Sequence, residues 1–172
     1  MTPEQLRAAV KDKMQFREFL FEPQKALNEE DRTLEIAFSS EEPYERWWGT
    51  EILDHKPDSV NLKRLLNKAP FLSEHNRLDQ IGVVEKAWID EDKKGRAVVR
   101  FSKKPRAQEE MQDVKDGIRT KISVRYIIEE EVLEKSEGDH QTWRITKWFP
   151  LEVSLVAIAA DDTVGVGRSA TE

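Results

Sequence analysis

Cysteine is absent from the 172 residues. That excludes thiolate metal sites, a cysteine nucleophile and disulfide stapling, and it fits a reducing compartment. Histidine is scarce, with His55, His75 and His140 making the full set of 3. Any chemistry that needs an imidazole therefore has few places to go. There is no H-E-x-x-H pair, no P-loop and no dinucleotide fingerprint; Gly165 and Gly167 hint at one but lack a following helix. Neither a metal nor a cofactor is expected. No apolar run approaches the ~20 residues that span a bilayer, and the first residues, with interleaved charges, lack a signal-peptide core. The expectation is a soluble, cytoplasmic protein without membrane association. Positive charge is also in deficit: the formal net charge is −6, which disfavours broad binding to a polyanion and predicts no nucleic-acid partner.

What is present is enough for one domain with a full core. Apolar residues make up 38% and charged residues 36%, and 5 Trp with 7 Phe supply large side chains to bury. Thr2-Pro3-Glu4 is a helix-start signal, and Leu6, Val10 and Met14 follow at helical spacing. Residues 1–31 are thus predicted to form a helical N-terminal arm, an appendage or an oligomer contact. From Arg32 the periodicity changes to two. Leu34–Phe38, Glu51–Leu53, Ile81–Ile89, Arg96–Phe101, Lys121–Val132, Thr142–Trp148 and Leu151–Ile158 read as strands. Asp58–Leu66 and Pro105–Asp116 read as helices, the second closed by Gly117. Two polar hairpins are expected, at 90–95 and 136–139. The fold class is mainly β with a few helices: a curled sheet or barrel of about six to seven strands over 32–168, followed by a flexible tail at 169–172.

Among residues that could carry chemistry, His75 follows the short apolar run Phe71-Leu72, where a strand enters a loop. Its unperturbed pKa suits proton transfer near neutrality; a surface-loop histidine is the plain alternative. His140, in a hairpin turn, and His55, before Pro57, read as solvated turn residues. Alternation puts Ile122, Val124 and Tyr126 on one strand face and Lys121, Ser123 and Arg125 on the other. Two cations beside a hydroxyl would favour a developing oxyanion, although an ordinary exposed strand serine fits the same pattern. Glu152 interrupts the apolar run Leu151–Ile158, so it is expected to be partly buried and to need a partner. An imidazole, Arg119, Arg125 or a backbone amide could serve. Asp161 and Asp162 are rival acids. The cationic stretch 93–106 reads as a solvated hairpin face, with a binding surface for acidic partners as the alternative.

In order along the chain, several segments resemble the prohead protease family of tailed bacteriophages. They are Phe38–Pro43, Gly49–Leu53, Pro70–His75 with Gly82-Val83-Val84, Asp116–Ile118 leading to Ile122-Ser123-Val124, and Pro150–Val156 ending near Ala160-Asp161. The resemblance spans about Arg32 to Arg168 and is closest to members encoded beside, or fused with, a major capsid protein. It implies a herpesvirus-protease-like fold and a serine endopeptidase with Ser123 as nucleophile and His75 as base. Glu152 would be the acid, with Asp161 as the alternative, and Arg125 would lend oxyanion support. Where the family usually has Gly after Ser-Val, Arg125 stands here. The implied partners are the capsid protein precursor, the scaffold protein and further copies of the chain itself. The implied location is the assembling prohead in the host cytoplasm, where the protease would also cleave itself. A capsid-assembly module that keeps the fold without catalysis is the competing reading.

Overall fold

The computed structural model describes residues 2, 4–5, 15–20 (18–20 by backbone only) and 26–157. Among the described residues, ten strands and two helices are named in chain order. They are β1 (Gln15–Leu20), β2 (Leu27–Asn28), β3 (Thr33–Ser39), β4 (Tyr44–Arg46), β5 (Gly49–Leu53), α1 (Lys63–Leu66), β6 (Pro70–Ser73), β7 (Gln80–Ile89), β8 (Gly95–Phe101), α2 (Pro105–Lys115), β9 (Lys121–Glu137) and β10 (His140–Val156). The sheet runs β1-β9-β10-β6-β7-β8-β3-β2. Contact between β1 and β3, near opposite ends of that order, curls it around a single core. The mainly β, curled architecture matches expectation, and the strands beyond six or seven are the short β1, β2 and β4.

Strand β10 is the spine. It pairs antiparallel with β9 along its length, parallel with β5 through Thr142–Ile145, and parallel with β6 through Val153–Leu155. Thr142–Trp148 and Leu151–Ile158, read from sequence as separate strands, form one ribbon as far as Val156. Pro150 lies within that ribbon at an irregularity: Pro150 pairs with Tyr126, but the next pair is Glu152 with Arg125. Leu151 is the extra residue of a β-bulge, which suits a proline that cannot donate to the ladder. Alternation resumes with Glu152 and Ser154 on the face of Arg125 and Ser123, while Val153 and Leu155 join Val124 and Ile122 in the core.

Trp148 is fully buried, packs edge-on to Tyr126 and donates its indole N–H to the Asp54 carbonyl at 2.9 Å. Phe71 and Phe101 make a second edge-on pair beneath β6. Ala107 and Val114 of α2 reach the same core, and Gly117, with φ 73°, turns the chain out of that helix. The helix predicted over Asp58–Leu66 is confined to Lys63–Leu66. Val60 instead forms a bridge to Trp148, because tertiary pairing with β10 outcompetes one turn of helix.

Over Gln15–Leu20 the helix expected for the arm at 1–31 is corrected. Thr2 and Gln5 do form a reciprocal capping box, but Gln15–Leu20 is a strand in the main sheet, paired with Leu20 opposite Lys121 through Gln15 opposite Tyr126. Arg17 explains why this segment is no appendage. It is 1% exposed, and its guanidinium donates to the carboxylate and carbonyl of Glu51, both at 3.1 Å. Arg46 lies 3.5 Å from the same carboxylate and donates to the Tyr126 hydroxyl, which in turn hydrogen-bonds Glu51. Burial, reinforced by Glu51, pushes the Tyr126 hydroxyl up to about 12. A sequence-local reading cannot foresee a strand whose buried cation is satisfied 34 residues away.

Removing the shared carboxylate should be far costlier than removing a surface charge, because it strands buried guanidinium groups. Glu51→Ala is expected to lose about 3–5 kcal/mol of unfolding free energy, read from urea denaturation. A loss below ~1 kcal/mol would show that Glu51 does not anchor β1.

Candidate active site

Ser123 lies near the start of β9, opposite Ser154 in the far part of β10. Its side chain shares a face with Arg125, as alternation predicts, but it is buried at 0% exposure and is no ordinary surface serine. His75 sits just beyond β6. There Ser73 hands over to two consecutive left-handed residues, Glu74 (φ 56°) and His75 (φ 54°). Such backbone is uncommon without glycine and costs on the order of 1–3 kcal/mol per residue, so it persists only where surroundings hold it. Here the Glu74 N–H donates to the Leu155 carbonyl at 2.9 Å and the His75 N–H to Ser154 Oγ at 3.1 Å. The Glu74 carboxylate receives the Ala157 N–H and the Arg119 guanidinium, both at 2.7 Å. Arg119 also bonds the Leu155 carbonyl at 3.0 Å and pairs with the buried Glu110 at 3.1 Å. The turn is thereby stapled to the end of β10.

That turn brings three sequence-predicted residues together. His75 Nε2 lies 2.7 Å from Ser123 Oγ, and His75 Nδ1 hydrogen-bonds the Glu152 carboxylate. A carboxylate accepts, so Nδ1 carries the proton and Nε2 is left to accept from the serine hydroxyl. Glu152 is 5% exposed, and its other oxygen receives the Ser154 hydroxyl at 2.8 Å. The arrangement can move a proton from an alcohol to an imidazole whose tautomer is fixed by an acid. Asp161, the alternative acid, falls outside the described residues, as does Asp162.

Arg125 is on the site's side of the sheet but does not pair with Glu152. Its guanidinium lies 5.4 Å from the Phe16 ring centroid, and its Nε has no hydrogen-bond partner among the described residues. Phe16 stands opposite Arg125 across the β1–β9 ladder and packs edge-on to the His75 ring at 4.6 Å between centroids. Phe16 and Ser154 were missed in the sequence. Ser154 had a local signal, being two residues from Glu152 on the same strand face; Phe16 had none, because β1 was read as helix.

The remaining histidines divide. His140 is exposed, as expected, with Nε2 2.7 Å from Thr50 Oγ1. His55 overturns the expectation of a solvated turn: it is 3% exposed. Its Nδ1–H donates to the Leu53 carbonyl at 2.8 Å, leaving Nε2 to accept from Ser39 at 2.7 Å. Its ring packs 5.4 Å from Trp148. The apolar partner lies 93 positions along the chain, beyond the reach of a local composition reading. Among the described residues no cluster of three or more His, Cys, Asp or Glu could hold a metal ion, and no helix is long and apolar enough to cross a membrane. The cationic hairpin is largely engaged with neighbouring acids, Arg96 with Asp90 and Asp92, and Arg100 with Glu85.

A family model described as Peptidase_S78, caudovirus prohead serine protease, matches residues 57–172. That span includes Ser123, His75 and Glu152. The major capsid protein of Halomonas phage phiHAP-1 is 48% identical over 137 residues, which is 78% of this chain and 23% of that protein. The chain thus spans about a quarter of this relative. The bacteriophage T4 capsid assembly protease, gp21, matches in structure with a TM-score of 0.53 at 12% identity, over 84% of this chain and 98% of that one. At that identity the likeness is one of fold.

Burial holds the His55 imidazole below its ordinary pKa of 6.5. Once pH drops beneath that value the unfolded chain binds a proton that the native site resists, so this contribution to stability is lost as pH falls through the depressed native value. His55→Asn should flatten the acid side of a urea-midpoint-versus-pH curve. Parallel curves for both proteins would rule out His55 as a titrating group there.

Proposed function

The chain belongs to the caudovirus prohead serine protease family, and on that footing we propose that it is a serine endopeptidase in which Ser123 attacks, His75 is the general base and Glu152 the acid. The observation that carries this reading is the continuous hydrogen-bonded series from Glu152 through His75 to Ser123. His75 Nε2 takes the hydroxyl proton as Oγ adds to a peptide carbonyl, then returns it to the leaving amine. Glu152 holds the Nδ1–H tautomer and stabilises the imidazolium. Arg125, on the same strand face two residues beyond the nucleophile, supplies positive charge toward the oxyanion.

The substrate is the capsid protein precursor, at a scaffold-like arm, or a separate scaffold protein. The site of action is the assembling prohead within the host cytoplasm. Two observations support this: a close relative is named a major capsid protein, and the T4 structure is named a capsid assembly protease. Because the capsid-protein relative extends well beyond the matched segment, cleavage within a shared polypeptide is part of the proposal, as is self-cleavage before Arg32 or in the tail at 169–172.

Access to the serine needs a movement. Ser123 has no exposed surface and the Phe16 ring packs on its partner His75, so displacement of that ring is the proposed route for a peptide to Oγ. This burial, with Arg125 where the family usually has Gly, favours the competing reading, an assembly module that retains the fold without cutting. Labelling by a fluorophosphonate separates the two.

Ser123→Ala should fold normally and reduce processing of a co-expressed capsid precursor by about 10⁴-fold or more; unchanged processing would remove Ser123 from the site. Glu152→Gln should slow processing by on the order of 10⁴-fold and Asp161→Asn far less. The reverse ranking would make Asp161 the acid. Phe16→Ala should raise the fluorophosphonate labelling rate of Ser123 roughly two- to tenfold, matching the ~0.5–1.5 kcal/mol of an aromatic edge contact. If neither wild type nor Phe16→Ala takes the label, the assembly-module reading stands.

A further inference from the structure

Ser154 is buried at 0% exposure and lies outside the series through which the proton moves. Its hydroxyl carries one hydrogen and two lone pairs, and the structure uses it in both directions. It donates to Glu152 Oε2 at 2.8 Å and accepts the His75 backbone N–H at 3.1 Å. Because Glu152 Oε1 accepts from the His75 ring, the bonds close a loop. The loop leaves His75 by its backbone, passes through the Ser154 hydroxyl and the Glu152 carboxylate, and returns to the imidazole.

Each bond in this loop removes a different freedom. The bond to Oε2 fixes the plane of the carboxylate, so that Oε1 points at Nδ1. The bond from the His75 N–H holds the backbone of a residue whose left-handed φ needs external support. Hydrogen bonds arranged in series also polarise one another in a low-dielectric interior. Strand alternation puts Ser154 on the face of Glu152, but nothing local shows that it bridges two groups 77 residues apart.

We propose that Ser154 is a positioning residue for the base and acid, setting the orientation of Glu152 and the backbone of His75 without touching substrate. The assignment rests on the endopeptidase reading for its kinetic consequence and on geometry alone for its structural one. Arg119 and Glu74 restrain the same turn from its outer side, but they touch neither the carboxylate of Glu152 nor the His75 ring. Among the described residues, the Ser154 hydroxyl joins the backbone of the turn to the acid, beside the bond made by the His75 ring itself.

The test pairs kinetics with a resting-state signal. Ser154→Ala should lower kcat for cleavage of a capsid-precursor peptide roughly 10- to 100-fold, the scale of lost orienting contacts, with KM within about twofold. Ser154→Thr keeps the hydroxyl and suits a strand, so it should recover most of kcat. Ser154→Cys preserves shape with a weak donor and should fall with Ser154→Ala, which covers the case where alanine fails to fold. In ¹⁵N-histidine-labelled protein, the downfield Nδ1 proton of His75 should be sharp in wild type and Ser154→Thr, and shifted or exchange-broadened in Ser154→Ala and Ser154→Cys. An unchanged resonance together with unchanged kcat in those two variants would overturn the assignment. So would a threonine variant as impaired as alanine. The resonance needs no turnover: if it responds as expected while wild type cleaves nothing, the positioning role holds and the endopeptidase reading fails.

Discussion

The register between β9 and β10 is the constraint on which the site depends. A strand shows alternate residues to opposite faces, so a slip of one position exchanges core for surface. Without Leu151 as an extra residue, Glu152 would stand opposite Val124 and point into the core with it. The bulge after Pro150 sets Glu152 against Arg125 and Ser154 against Ser123. The side chains of Glu152 and Ser154 then both arrive on the face of Ser123. β6, pairing with the same stretch of β10, delivers the turn that carries His75. Bulges are common beside functional sites because they re-aim side chains, and here the re-aimed side chain is the proposed acid.

A second constraint governs what covers the site. Strand β1 is fastened by Arg17, whose charge is neutralised by Glu51 in the interior, and one residue away Phe16 packs on His75. The anchoring charge and the covering ring lie on opposite faces of the same strand. The cover therefore cannot lift as a free end would: exposing Ser123 means rotating one ring or peeling a strand away from a buried ion pair.

Much of this was legible in the sequence because it rests on local pattern. Alternation over Lys121–Tyr126 located the face of Ser123, the apolar run before His75 marked a strand end, and a carboxylate within Leu151–Ile158 signalled a buried acid needing a partner. The polar turns with Gly95 and Gly138 marked both hairpins. What escaped depends on partners remote in sequence. Periodicity in residues 1–31 suggested a helix because the residues that make β1 a strand, Glu51 and the β9 edge, lie elsewhere in the chain. His55 looked solvated beside Lys56 and Pro57, yet Ser39 and Trp148 enclose it. A proline between two apolar runs split β10 in two, since no rule of propensity says when a bulge will carry a strand through.

The three groups proposed for chemistry come from positions 75, 123 and 152; antiparallel pairing of β9 with β10 brings the last two together, and long-range parallel pairing of β6 with β10 brings in the first. Parallel contacts of this range form late, because a long loop must close before they repay its entropy. During synthesis, a nascent chain that has not yet emitted β10 has Ser123 and His75 but neither Glu152 nor the strand that seats the His75 turn. A centre built in this order cannot form before β10 has been synthesised, so everything made ahead of that strand is made before the proposed base is seated.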